Sequence, residues 1–347
     1  MPAYKNEKTG KWYCKFYYED WYGNTQQKKK SGFALKREAL EWEREFLNNH
    51  QKTPDMPFQA FCDAYIRVKS SEWKPYTADT AKYTIKRLKD FFGDKPLNQI
   101  TPLDVKKLHV KLKEDGLTPG SINTIHGRLS AVMNHAVTFY GLSSNPCKLS
   151  GKVKDPKKEM RYLTLDDYKQ LIKKGNLKPN QKIMIELLYW TGMRVGEMLA
   201  LTPGDMHEDY ISVTKNIAEI DGKTILQNTP KTDNSVRNIR IHKKLYNDLT
   251  EYRNKLYGIG NEDRLFNYSR GGLRLMINRA CVCAEIKHIR IHDFRHSHVA
   301  LLIHLGYHTK AIAERIGDTT ETVLRVYSHI YPQDVDEMVK KFDTLDV

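Results

Sequence analysis

The chain has 347 residues and carries 57 Lys plus Arg against 42 Asp plus Glu, a net charge of +15. That length gives room for two or three domains, and that surplus favours a polyanionic partner, nucleic acid ahead of membrane lipid. A hydrophobic content of 40%, with 20 Tyr and 11 Phe, excludes wholesale disorder.

No apolar run reaches the about 20 residues of a membrane span. The opening Met1-Pro2-Ala3-Tyr4-Lys5 has no apolar signal region behind it, so a cytoplasmic protein without a membrane partner is expected. Cys14, Cys62, Cys147, Cys281 and Cys283 form an odd, dispersed set. They read as reduced thiols, not as a disulfide frame.

Residues 1–52 form the first expected domain. Residues 11–19 are rich in aromatics (Trp12, Tyr13, Phe16, Tyr17, Tyr18), 20–24 read as a turn, and 26–33 pair back as a second strand. A helix opening at Ala34 sets Ala39, Leu40, Trp42, Phe46 and Leu47 on one face, able to cover the sheet. Lys28, Lys29 and Lys30 lie along the second strand. A sheet in the major groove can lay such side chains on phosphates.

Residues 51–57 carry two prolines and read as a linker. Residues 57–150 form the second expected domain, an all-helical bundle of about four helices. Phe61, Ala64, Tyr65 and Val68 share one face there, and Tyr83, Ile85, Leu88, Phe91 and Phe92 another. Thr101-Pro102 and Thr118-Pro119 each place a cap and a first-turn proline at a helix start. Basic positions including Lys82, Lys86, Arg87 and Arg128 could clamp a duplex backbone.

Residues 160–347 form the third expected domain, mixed but mainly helical. Helices are expected at 165–172, 182–190, 243–256, 273–284 and 292–305. Residues 211–213, 224–227 and 236–241 read as a small antiparallel sheet.

Four short segments here carry chemistry. In Thr191-Gly192-Met193-Arg194-Val195-Gly196-Glu197 a helix runs into a glycine turn and a new helix starts at Arg194. A guanidinium at a helix N-terminus favours a bound phosphate; a surface pair with Glu197 is the plainer use. Thr229-Pro230-Lys231-Thr232 lies between two strand-like stretches, so Lys231 is expected on a hairpin loop. A lysine there can protonate a leaving alkoxide if its pKa falls from about 10.4. In His292-Asp293-Phe294-Arg295-His296, His292 and Arg295 share a helix face and can meet one phosphate. His292 and His296 also have zinc-ligand spacing, but a cation between them is unfavourable for a metal; His296 and His298 otherwise read as satisfied rings under the helix. Tyr327 follows in Val326-Tyr327-Ser328-His329, with Tyr331 the nearest competing phenol. A phenol near pKa 10 needs an acceptor or strong positive surroundings to act as a nucleophile.

Together these motifs, in this order, resemble the tyrosine recombinase family, and more narrowly the integrases of phages and integrative conjugative elements. The resemblance covers essentially the whole chain. It implies a multidomain α+β protein: a small β-sheet-plus-helix arm-binding domain, an all-α core-binding bundle, and a mainly helical catalytic domain with a small antiparallel sheet. It implies a site-specific recombinase that cuts and rejoins DNA through a 3′-phosphotyrosine, without metal, ATP or other cofactor. Tyr327 would be the nucleophile, Arg194 and Arg295 the phosphate-binding pair, Lys231 the general acid and His292 an acid/base. Where the family usually carries His or Trp, Ile316-Gly317-Asp318 puts an aspartate. Asp318 is expected to turn away from the phosphate, to reduce activity, or to orient a base such as His292. The implied partners are double-stranded attachment sites, a homotetramer on DNA, an excisionase and a DNA-bending protein; the C-terminal tail would dock on a neighbouring protomer. A type IB-like topoisomerase and a non-catalytic DNA-binding regulator are the rival expectations.

Overall fold

The computed structural model describes residues 3–21, 23–49, 54–156, 160–220, 223–227 and 236–331. The chain divides into two units, Met1–Lys157 and Lys158–Val347.

The first unit opens with β1 (Ala3–Lys5), β2 (Trp12–Glu19) and β3 (Thr25–Phe33), an antiparallel sheet in that order, followed by α1 (Lys36–Asn49). Alternation along β2 buries Cys14 and Phe16 against α1, where Trp42 and Phe46 pack on Phe16. Burying one such ring stabilises by about 1.5–3 kcal/mol. The connecting turn is held by Asp20, whose carboxylate accepts the Asn24 backbone N–H at 2.9 Å. Register pairs Phe16 with Lys28, Lys15 with Lys29 and Cys14 with Lys30. Neighbouring strand residues point to opposite faces, so the three lysines do not form one stripe. Lys28 lies over the Phe46 ring on the helix side, and Lys29 over Tyr13 on the open side.

Then come α2 (Phe58–Lys69), α3 (Pro75–Phe92), α4 (Pro102–Glu114), α5 (Pro119–Phe139) and the short α6 (Pro146–Ser150). Phe58, Phe61, Ile85, Leu88, Leu108 and Leu129 are in their common core. The α4 start is fixed as a capping box: Asp104 accepts the Thr101 N–H at 2.9 Å and Thr101 Oγ1 accepts the Asp104 N–H at 3.3 Å. Such a cap contributes about 1 kcal/mol. Two residues expected on the shared helix faces do not join the buried set. Tyr83 is 70% exposed, because it stands two residues, over half a turn, from buried Ile85. Val68 is 50% exposed in the last turn of α2. Lys82 and Lys86 are exposed on α3, whereas Arg87 faces Asp115 at 3.6 Å and Arg128 stacks over Trp73.

The second unit contains α7 (Leu165–Lys174), α8 (Pro179–Thr191), α9 (Val195–Leu199), β4 (Tyr210–Val213), β5 (Asn216–Ile220), β6 (Lys223–Gln227), β7 (Arg237–Arg240), α10 (Lys243–Asn254), α11 (Arg270–Cys283), α12 (Asp293–His304), α13 (Thr309–Ile316) and α14 (Thr320–Tyr327). Every residue of α8 from Ile183 to Tyr189 is buried, as expected for a helix packed on several sides. In place of one small sheet the strands make two ribbons. β4 pairs with β7 and β5 with β6, all antiparallel. β5 was not read from the sequence. Its presence takes β6 as partner, while β7 pairs with β4; the expected loop around Lys231 lies outside the described residues. A separate cluster joins Val299 and Ile303 of α12 to Ile312, Ala313 and Ile316 of α13 and Val323 and Tyr327 of α14. All five cysteines are free, Cys283 exposed and the others buried.

Candidate active site

Gly192 caps the C-terminus of α8 in the left-handed region, φ 64°. A Cβ there would stand 2.6 Å from the His298 ring, so both the backbone and the close approach require glycine. The turn makes Arg194 the N-cap of α9. Gly196, two residues on, lies against β5, where a Cβ would meet the Ile217 carbonyl at 2.5 Å.

Glu197 is the buried anchor of this corner, 5% exposed. Its carboxylate accepts the Arg194 backbone N–H at 2.9 Å and Arg194 Nη1 at 3.0 Å. It also accepts Arg237 Nη2 at 2.9 Å and Nη1 at 3.3 Å. Burial works to raise the Glu197 pKa, but the Arg237 bonds and charge, then those of Arg194, outweigh it and hold it below the ordinary value. The expected surface pair between Arg194 and Glu197 is therefore real but buried at its acidic end. Arg237 Nε donates on to the Arg315 carbonyl at 3.0 Å.

Arg295, on α12, is buried. Its Nη1 donates to the carbonyls of Gly192 (2.9 Å) and Ile316 (2.7 Å), and its Nη2 to Asp318 Oδ2 at 3.2 Å. Loss of hydration, then the nearby Arg194 charge, lower its pKa to about 10. Arg194 Nη2 donates to the Gly317 carbonyl at 3.3 Å and stands 3.5 Å from the same Asp318 oxygen. Asp318 does not turn away. It faces both arginines, because the left-handed Gly317 at the end of α13 brings it to them. Burial pushes the Asp318 pKa up, but the Thr319 N–H, Arg295 and Arg194 prevail and lower it. It is the carboxylate form that sits between the guanidiniums.

His292 is exposed at the start of α12. Desolvation on its protein side and the Arg295 charge lower its pKa. Its ring meets that of His296 edge-on, centroids 4.8 Å apart. His298 is a structural ring: its Nδ1 donates to the Tyr189 carbonyl at 2.8 Å and its Nε2 accepts Arg315 Nε at 3.0 Å. His296 is different. Its Nδ1 lies 2.8 Å from the Tyr327 hydroxyl.

Tyr327 ends α14 and is 4% exposed. Burial pushes its pKa up to about 12, against the opposing effect of Arg295. Tyr331 goes elsewhere; its hydroxyl is 2.7 Å from Thr309 Oγ1, at the far end of α13 from Asp318. Arg194, Arg295 and Asp318 thus meet directly, His292 borders them, and Tyr327 joins through His296. Lys231 and the tail beyond Tyr331 lie outside the described residues. Two participants escaped the sequence reading. Arg237 sits in no motif and meets Glu197 from 40 positions away. His296 was visible in its motif, but nothing local said which ring it would meet.

Residues 161–334 match the Phage integrase family, 2–50 the Arm DNA-binding domain, and 57–113 the Phage integrase N-terminal SAM-like domain. The chain belongs to the phage integrase family. This integrase is 32% identical over 338 residues to the ICEBs1 integrase of Bacillus subtilis, covering 90% of this chain and 91% of that protein. It is 25% identical to the integrase of Staphylococcus phage L54a, covering 87% and 97% of the two chains. It shares its fold with the Tn1549 transposon integrase solved with a circular intermediate DNA (TM-score 0.72, 20% identity, 84% of this chain and 99% of that one). The integrase is a DNA strand-transferase of site-specific recombination. Among its described residues no helix is long and apolar enough to cross a membrane.

Proposed function

We propose that this integrase cuts and rejoins double-stranded DNA at attachment sites through a 3′-phosphotyrosine on Tyr327, integrating and excising a mobile element. One observation carries the reading. Arg194 and Arg295 converge on a single oxygen of Asp318, at 3.5 and 3.2 Å, while the hydroxyl of Tyr327 is held from the same helix as Arg295.

A scissile phosphate offers the same guanidiniums a better acceptor than one carboxylate does, with more oxygens and bidentate geometry. Arg194 and Arg295 then stabilise charge on the non-bridging oxygens as Tyr327 attacks in line. The donors are already fixed by Glu197, Gly192, Ile316 and Gly317, so little reorganisation accompanies the reaction. Lys231 protonates the departing 5′ oxygen, and His292 assists proton transfer at the phosphate. Asp318 gathers the two cations when DNA is absent and yields its place to the phosphate. The bond energy stays in the protein–DNA link, and a 5′ hydroxyl from a partner duplex reverses the step.

Exposed Lys28, Lys29, Lys30, Lys82 and Lys86 supply phosphate contacts; Arg87 and Arg128 join them only where they leave Asp115 and Trp73. Four protomers exchange strands through a four-way junction, with an excisionase and a DNA-bending protein setting direction. A solved relative supports the assembly: the lambda integrase tetramer bound to a Holliday junction has TM-score 0.60 at 18% identity, covering 95% of this chain and 92% of that one.

The test is adduct trapping on a nicked suicide attachment site. Wild-type and Tyr331→Phe protein are expected to form the covalent complex, and Tyr327→Phe is not. A second reading, a DNA-binding regulator without strand transfer, is favoured only by the carboxylate already seated between the arginines. It gains if wild-type protein binds the site and never forms the adduct.

A further inference from the structure

We infer that His296 serves the nucleophile directly: its Nδ1 holds the Tyr327 hydroxyl and takes that proton as the Oη–P bond forms. The inference rests on the proposed role of Tyr327.

Three observations carry it. The Nδ1 to Oη distance is 2.8 Å, within the range for proton transfer. The phenol otherwise lies in a cluster with Val299, Ile303, Ile312, Ala313, Ile316 and Val323, none of which accepts a proton; Arg295 and Asp318 act on it through their charge. His296 also follows Arg295 in the chain, so one turn of α12 carries both the phosphate-binding cation and the ring on the phenol. Phosphate and nucleophile are positioned from a single rigid element.

The neutral ring is the acceptor form. The groups around it are Tyr327 on α14 and His292, Asp293, Arg290 and Arg295 on or just before α12. Burial first, and then His292, lower its pKa to about 4, so the ring is neutral at neutral pH, and with its proton on Nε2 the ring accepts at Nδ1. With the phenol near 12, prior ionisation is strongly uphill. The proton therefore moves during attack, while phosphorus withdraws charge from Oη. The balance is simple: Oη–H breaks, Nδ1–H forms, Oη–P forms and P–O5′ breaks. The departing 5′ oxygen takes its proton from the acid on the opposite side, the place proposed for Lys231. Rejoining runs the same transfers backward.

The experiment uses full-length protein on two versions of its attachment-site duplex, one normal and one with sulfur at the 5′ bridging position. A thiolate leaves without a proton, so sulfur removes the need for the acid but not for the base. His296→Gln keeps an acceptor near the phenol yet is a far weaker base. It is expected to lower single-turnover cleavage roughly 100-fold or more on both substrates, with DNA binding unchanged. His296→Ala is expected to regain cleavage with added imidazole. Lys231→Ala is expected to be slow on the normal substrate only. Wild-type-like rates for His296→Gln would overturn the transfer and leave a positioning role. So would an equal loss in His296→Ala that imidazole does not restore. Adduct formation by Tyr327→Phe on the same duplexes would sink the underlying nucleophile assignment instead, whatever the His296 variants do.

Discussion

The exposed strand and helix faces of the first unit and the catalytic corner of the second carry positive charge in opposite ways. In residues 1–157, Lys29, Lys82 and Lys86 stand exposed on a strand and a helix. In residues 158–347, Arg295 and Arg237 are buried and tied to carboxylates and carbonyls at 2.7–3.3 Å. Exposed cations are mobile and screened by salt, so they contribute affinity without geometry. A buried guanidinium cannot shed its partners cheaply, so it contributes position. The same charge is therefore expected to have different consequences on removal, and the following measurements sharpen or break that contrast.

The largest effect belongs to Arg295→Ala. It strips the donor from Gly192, Ile316 and Asp318 at once. Cleavage is expected to fall roughly 1,000-fold, and stability by about 3 kcal/mol. Single-turnover kinetics and denaturant unfolding read the two losses separately. Next is Glu197→Gln, which leaves Arg194 and Arg237 under-compensated and costs about 2–3 kcal/mol. The folded pKa of Glu197 lies below its ordinary value. Its stabilisation is thus full above the unfolded carboxylate range, about 4.3, and is lost as pH falls through the lower folded value. Wild-type stability should drop more steeply than that of Glu197→Gln on acidification. Parallel unfolding curves would count against the buried anchor.

Asp318→Asn removes the charge competing for the phosphate seat. Site affinity is expected to rise by about 1 kcal/mol, roughly five-fold. A weaker or slower variant would mean that Asp318 contributes to the bound state and not only to the DNA-free one. The smallest effects come from Lys29→Ala and Lys82→Ala. Each is expected to lower the slope of log affinity against log salt by about 0.9, with cleavage of saturated DNA unchanged. A change in the cleavage rate would erase the distinction between the units.

Much of the site was legible from local spacing. Arg194 follows a glycine turn, and His292 and Arg295 share a helix face; each placement needs only a few neighbouring residues. The short helices α13 and α14, which present Gly317 and Tyr327, were not among the expected elements. The Arg237–Glu197 bond, the seat of Asp318 and the contact of His296 with Tyr327 all join separate elements. No periodicity encodes such contacts. The strand reading failed for a related reason. Residues 224–227 and 236–241 look like neighbours in the chain, but hydrogen bonding assigned each another partner.

The sequence by itself determined most of the longer helices, the caps at Thr101 and Thr118, the family motifs and the basic excess, because propensity, capping and charge act over a few residues. Tertiary structure alone decided which histidine meets the phenol, which arginines are buried and what the aspartate faces. Those outcomes depend on burial and on hydrogen bonds between residues tens of positions apart, and packing sets both.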